Sequence, residues 1–208
     1  MSLLDQAEFA SPDRLRAHQA AAWAVQSAYV AAQSEFYRDL WQGRTPPADL
    51  RDLAELPLSD KAQLRISQAE HQPFGTYMAA SRREAVRLHR TSGTTGQAMN
   101  LALSARDCAV TEAVGGRCQS ASGLTPDDTV VHCLNYQMTL QATGAMVVPF
   151  GVGSTELLVR TIQEVGITAI SCTPSYPSVL ERVIADKFPG LKPRDLGLRL
   201  GLFGGEAG

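Results

Sequence analysis

Thr91-Ser92-Gly93-Thr94-Thr95-Gly96-Gln97 packs four hydroxyl residues and two glycines into seven positions. Glycine reaches positive φ at no steric cost, so Gly93 and Gly96 let the backbone turn tightly and approach a ligand closely. Successive N–H groups in such a turn form an anion-binding nest. Ser and Thr hydroxyls add donors that rotate to suit phosphate oxygens. The chemistry on offer is the holding of a phosphate chain. The plain alternative is a polar hairpin loop, and the density of hydroxyls between two strand patterns argues against it. The spacing is not that of the Gly-x₄-Gly-Lys-Ser/Thr loop that joins a strand to a helix.

Such a loop needs rigid elements on either side. Ala85 to Arg90 alternates apolar and polar residues, as a half-buried strand does, and Met99 to Leu103 alternates again. The pattern therefore predicts two strands flanking the loop. Upstream, Ser11, Pro12 and Asp13 are a helix-start signal, and residues 11–40 read as helical. Gly43 and Pro46-Pro47 break the pattern, and Ser59-Asp60 opens a short helix from Lys61 to Gln68. Downstream, Ser104 caps a helix over about 105–120 that stops near Gly123. From Thr125 the pattern is α/β. Strands are predicted at Val130–Leu134, Ala145–Phe150, Ile167–Cys172 and Leu198–Phe203. Ser154 opens one intervening helix, with Leu157, Leu158, Thr161, Ile162 and Val165 on its inner face and Gly166 at its end. Pro177 opens the next, with Val179, Leu180, Val183 and Ile184 inward. Strands alternating with helices argue for a mostly parallel βαβ sheet. Two regions are expected: a helical N-terminal part and linker, 1–84, and an α/β part, 85–208.

With 208 residues, a net charge of −2 and 44% hydrophobic residues, the chain is an ordinary globular composition. A strongly basic nucleic-acid binder is excluded as the default. No stretch reaches the ~18 apolar residues of a membrane-spanning helix, and the acidic N-terminus does not read as a signal peptide. A cytoplasmic protein is expected, with no nucleic-acid or membrane partner. Cys108, Cys118, Cys133 and Cys172 form no Cys-x-x-Cys pair, and the four histidines form no metal-spaced pair. No metal site is expected, and the cysteines read as buried free thiols. His89 and His132 lie in strand patterns and read as structural.

Thr-Ser-Gly-Thr-Thr-Gly resembles the phosphate-loop motif of the adenylate-forming acyl-CoA synthetases. Around it, Leu56-Pro57-Leu58-Ser59-Asp60-Lys61, Pro73-Phe74-Gly75 and Arg87-Leu88-His89 resemble the phenylacetate–CoA ligase family. So do Cys172-Thr173-Pro174-Ser175-Tyr176 and Leu200-Gly201-Leu202-Phe203-Gly204-Gly205-Glu206, in the same order along the chain. The resemblance implies the adenylate-forming ligase fold. It implies an enzyme that activates a carboxylic acid, aryl or arylacetic, with ATP and Mg²⁺, then passes the acyl group to coenzyme A. It places Thr91 to Gln97 on the β- and γ-phosphates. Gly204, Gly205 and Glu206 then line the adenine and acyl pocket, and Asn135 and Tyr136 contribute to the acid pocket.

Two departures stand out. The family loop continues Lys-Pro where this chain has Gln97-Ala98, so one cation facing the polyphosphate is missing. The segment between Tyr136 and Val147 is shorter than the family's Gly-rich helix, with room for about two turns, which argues against phenylacetate itself. The family's ribose-binding acid and lid lysine have no counterpart in these residues. The chain is therefore expected to be the N-terminal half of such an enzyme, silent alone and able to self-associate through exposed sheet surface. Two rival readings are an adenylating enzyme that loads a carrier protein, and a non-catalytic nucleotide- or partner-binding module.

Overall fold

The computed structural model describes residues 6–91, 98–134, 139–151 and 153–205. They fall into two compact units, 6–109 and 110–205, with the division inside one helix.

In the first unit, Ser11 accepts the Arg14 N–H and opens α1 (Pro12–Gln33). The helix does not run to residue 40 as the composition predicts. Ser34, fully buried, ends α1 through its own N–H and caps α2 (Glu35–Leu40) through its hydroxyl. A serine side chain competes for backbone groups in this way, and here it splits one helical pattern in two. Asp60 and Gln63 form a reciprocal capping box at the start of α3 (Lys61–Glu70), which runs two residues beyond the expected end.

The two predicted strands are present. β1 (Ala85–Arg90) and β2 (Asn100–Ser104) pair antiparallel, with Arg90 opposite Asn100 and Leu88 opposite Ala102. Their alternation is as read, but in β1 it is Val86 and Leu88 that are exposed while Arg87 and His89 are half-buried. A period of two fixes which side chains share a face, not which face is covered. Ser104 and Asp107 exchange hydrogen bonds at the start of α4 (Ala105–Ala121).

The second unit is a four-stranded parallel sheet in the order β4-β3-β5-β6. Its strands are β3 (Thr129–His132), β4 (Met146–Pro149), β5 (Ala169–Cys172) and β6 (Leu200–Phe203). α5 (Thr155–Val165) leads into β5, and α6 (Tyr176–Lys187) leads towards β6. Against one face of the sheet, Leu158, Val159, Ile162, Leu180 and Ile184 pack on Val131, Ile170 and Cys172. On the other, Leu124, Leu140 and Ala145 pack on Val130 and Ala169.

Two expected helix faces are corrected. In α5 the buried stripe is Leu158, Val159 and Ile162, while Leu157 and Val165 are exposed, so the inward face lies one residue round from the predicted one. In α6 only Leu180 and Ile184 are buried, and Val179 is exposed. A broad apolar arc does not fix its own centre; contact with the strands does. Cys108, Cys133 and Cys172 are buried free thiols as expected, but Cys118 is exposed.

The N-terminal ends of the parallel strands are held together by a buried carboxylate. Asp128, only 3% exposed, accepts from the Thr125 N–H and hydroxyl, both at 2.9 Å, and from the Thr168 hydroxyl at 2.7 Å. Arg199 donates to it through Nε at 2.7 Å and through Nη2, and spans on to the Gly123 carbonyl at 2.9 Å. The guanidinium, then the two threonines, hold this carboxyl well below the usual carboxylate range. One side chain thus ties the turn before β3 to the segments entering β5 and β6.

Candidate functional site

The phosphate-loop candidate is joined to the first unit by a two-bond neck. The Thr91 N–H donates to the Met99 carbonyl at 3.1 Å, and the Met99 N–H donates to the Thr91 hydroxyl at 3.0 Å. This extends the β1–β2 ladder by one residue beyond Arg90 and Asn100. Of the predicted loop, Thr91 is described and half-buried; Ser92, Gly93, Thr94, Thr95, Gly96 and Gln97 lie outside the described residues.

Behind the neck sits a polar cluster that the sequence analysis did not single out. Gln68, on α3 and 7% exposed, donates from Nε2 to the Ala98 carbonyl at 3.0 Å. Its Oε1 accepts from the Asn100 N–H at 2.8 Å. The Tyr77 hydroxyl lies 2.8 Å from Gln68 Oε1 and 2.9 Å from the Asn100 carbonyl. Burial pushes the Tyr77 phenol up, which keeps it a donor at neutral pH. The Asn100 side chain donates to the Pro73 carbonyl at 2.8 Å. Gln68, Gln72, Pro73, Arg90, Ala98 and Asn100 line a recess of about 170 Å³.

Pro73-Phe74-Gly75 is the scaffold of this cluster. Gly75 has φ +68°, and a Cβ there would lie 2.5 Å from the Tyr77 ring. Only glycine meets both conditions, so Gly75 is what lets Tyr77 reach Gln68. Thr76 locks the same turn: its N–H donates to the Ser67 hydroxyl at 2.9 Å, and its carbonyl accepts from the Phe36 N–H at 3.2 Å. Gly75 was the one signal by which sequence reasoning could have found the cluster.

In the second unit Gly204 and Gly205 follow the C-terminal end of β6, on the side of a parallel sheet where ligands bind in open α/β folds. Gly204 donates its N–H to the Cys172 carbonyl at 3.2 Å. Gly205 has φ +90°, and a Cβ there would rest 3.7 Å from the Thr173 methyl. The structure thus brings Gly204 and Gly205 against the Cys172-Thr173 end of β5; Glu206 lies outside the described residues. Asn135 and Tyr136, beyond the end of β3, also lie outside them. After that segment the chain makes only a short 3-10 turn, Gln141–Thr143, before β4. Thr139 seats on α4 at Gly115, where any Cβ would fall inside its methyl.

The buried Cys133 thiol is not a nucleophile. Burial, with Cys172 close by, pushes the Cys133 thiol up to about 12, so it carries no thiolate at neutral pH. Among the described residues no group of three or more His, Cys, Asp or Glu can hold a metal ion. No helix among them is long and apolar enough to cross a membrane.

The fold is that of the adenylate-forming CoA ligases. The chain is 26% identical to 2-hydroxyisobutyryl-CoA ligase, whose structure in complex with 2-HIB-AMP and CoA in the thioesterification state superposes with a TM-score of 0.86. That match covers 95% of this chain and 45% of the other. An open conformation of the same ligase gives 0.78 over 88% of this chain. No family model matches the chain. Within the class, its homologues are phenylacetate–CoA ligases, as the motifs implied. It is 34% identical to the Pseudomonas putida enzyme over 99% of this chain, and 33% identical to the Thermus thermophilus enzyme over 86%. It spans 48% and 42% of those relatives, under half their length.

Proposed function

We propose that this chain forms part of an acid–CoA ligase that activates a carboxylic acid with ATP and transfers the acyl group to coenzyme A. The observation that carries this reading is homology along 99% of the chain to a phenylacetate–CoA ligase. Thr91, Ser92, Gly93, Thr94, Thr95, Gly96 and Gln97 hold the β- and γ-phosphates through backbone amides and hydroxyls. The acid carboxylate attacks the α-phosphorus in line, and pyrophosphate leaves with the charge that the loop's donors stabilise. The thiol of coenzyme A then displaces AMP from the acyl-adenylate. Mg²⁺, brought by the nucleotide, would supply charge neutralisation on the polyphosphate beside the donors of Thr91 to Gln97.

Gly204, Gly205 and Glu206 form a flat backbone wall for adenine and acyl group, and Asn135 and Tyr136 shape the acid pocket. The acid is an aryl or arylacetic acid other than phenylacetate, given the short connection before β4. We place the enzyme in the cytoplasm and expect copies of the isolated 208-residue chain to associate through exposed sheet surface at β6, where Phe203 is 55% exposed. The test is ATP–pyrophosphate exchange by the full-length gene product against aryl, arylacetic and branched hydroxy acids. Exchange that depends on one class of acid supports the reading; no exchange with any acid removes it.

A further inference from the structure

Gln68 has no role in the motif-based reading, yet it is the most heavily engaged buried side chain beside the loop neck. Along a strand, backbone groups point to alternate sides. The Met99 N–H and carbonyl face Thr91, so the Ala98 carbonyl and the Asn100 N–H face away from β1. Both are taken by the Gln68 side-chain amide, Nε2 donating to the first and Oε1 accepting from the second, at 3.0 and 2.8 Å. A primary amide presents one donor direction and an acceptor side by side, as the backbone of a neighbouring strand would. Gln68 therefore acts as a strand of one residue, anchored to α3 and braced by Tyr77.

We infer that Gln68 is a positioning residue for the phosphate loop, clamping the limb Ala98–Asn100 from the side opposite Thr91. This rests on the proposed phosphate-binding role of the loop. A nest binds anions tightly only if its N–H groups are already aimed, because donors that must be ordered on binding contribute less. Thr91 fixes the outgoing end of the loop and one side of the returning limb. Gln68 fixes the other side, so the limb keeps one direction without ligand.

The test titrates the ¹⁵N-labelled chain with magnesium pyrophosphate and follows the amide resonances of Thr91, Ala98 and Met99. Gln68→Met keeps the volume and loses every bond. Gln68→Asn keeps the amide but is one methylene short, and carries the test should Gln68→Met not fold. Ser27→Ala is the control: Ser27 is equally buried in the same unit but lies on α1, and its hydroxyl donates to the Ala24 carbonyl, not to the loop limb or the turn behind it. Both Gln68 variants should raise the apparent Kd at least tenfold, and Ser27→Ala should stay within twofold even where its melting temperature falls as far. Wild-type affinity in either folded Gln68 variant overturns the inference while leaving the phosphate-loop reading intact. A wild-type chain that gives no response at these amides overturns that reading, and this inference with it.

Discussion

Replacing Asp128 by Asn tests how the second unit is held together. The carboxylate takes five donors: the Thr125 N–H and hydroxyl, the Thr168 hydroxyl, and two from Arg199. Asn leaves one acceptor oxygen and turns an N–H₂ towards donors. Each hydrogen bond to a charged group contributes roughly 1.5–3 kcal/mol. The full sum does not apply, because the Arg199 side chain is 47% exposed and can rehydrate, and the threonine hydroxyls can reorient. A net loss of about 2–4 kcal/mol remains, near the lower part of the range for breaking a buried ion pair. Both tryptophans, Trp23 and Trp41, lie in the first unit, so their fluorescence does not report this change. Amide hydrogen exchange at Val131 and Ile170 does.

The pH dependence has a definite sign. The folded Asp128 pKa is depressed below its unfolded value of about 3.9. Its contribution is therefore complete above the unfolded value and is lost as pH falls towards the folded one. The difference between wild type and Asp128→Asn should hold from pH 7 to about 5, then shrink below about pH 4 by up to about 1.4 kcal/mol per pH unit. A difference under about 0.5 kcal/mol at pH 7, or one that persists unchanged to pH 2, refutes the reasoning.

Other expectations follow from single contacts. Gly115→Ala should cost at least about 2 kcal/mol, since its methyl would overlap Thr139, and Thr139→Gly in the same chain should recover part of the loss in a urea titration. A thiol reagent should modify Cys118 within seconds and Cys133 and Cys172 only on unfolding; rapid labelling of three thiols contradicts their burial. Gln97→Lys in the full-length gene product should lower the KM for ATP and steepen its salt dependence, because an added charge near phosphate is screened by ions. Unchanged values would place residue 97 out of reach of the nucleotide.

Much of the second unit was legible because its strands are short apolar runs bounded by caps. Ser154 and Gly166 bracket α5 as their residue types demand. The errors were of phase and of competition. The faces of α5 and α6 were misjudged because apolar residues spread over a wide arc and only the strands select its centre. Ser34 broke a helix because its hydroxyl and N–H serve two helices at once, which composition does not reveal. The neck strands could be read from alternation, but Gln68, Tyr77 and Asn100 could not. Gln68 and Asn100 stand 32 residues apart in sequence, and neither belongs to a residue type that announces burial. Asp128 was hidden for the same reason: its partner Arg199 is 71 residues away.

The central claim is that Thr91–Gln97 holds the phosphates of ATP. The most direct measurement is acid-dependent ATP–pyrophosphate exchange by Thr94→Ala and Thr95→Ala in the full-length gene product, with melting temperatures measured on the same samples. The account predicts at least a tenfold loss of exchange in each, at melting temperatures close to wild type, because loop hydroxyls contribute little to stability. Wild-type exchange in both variants would contradict it.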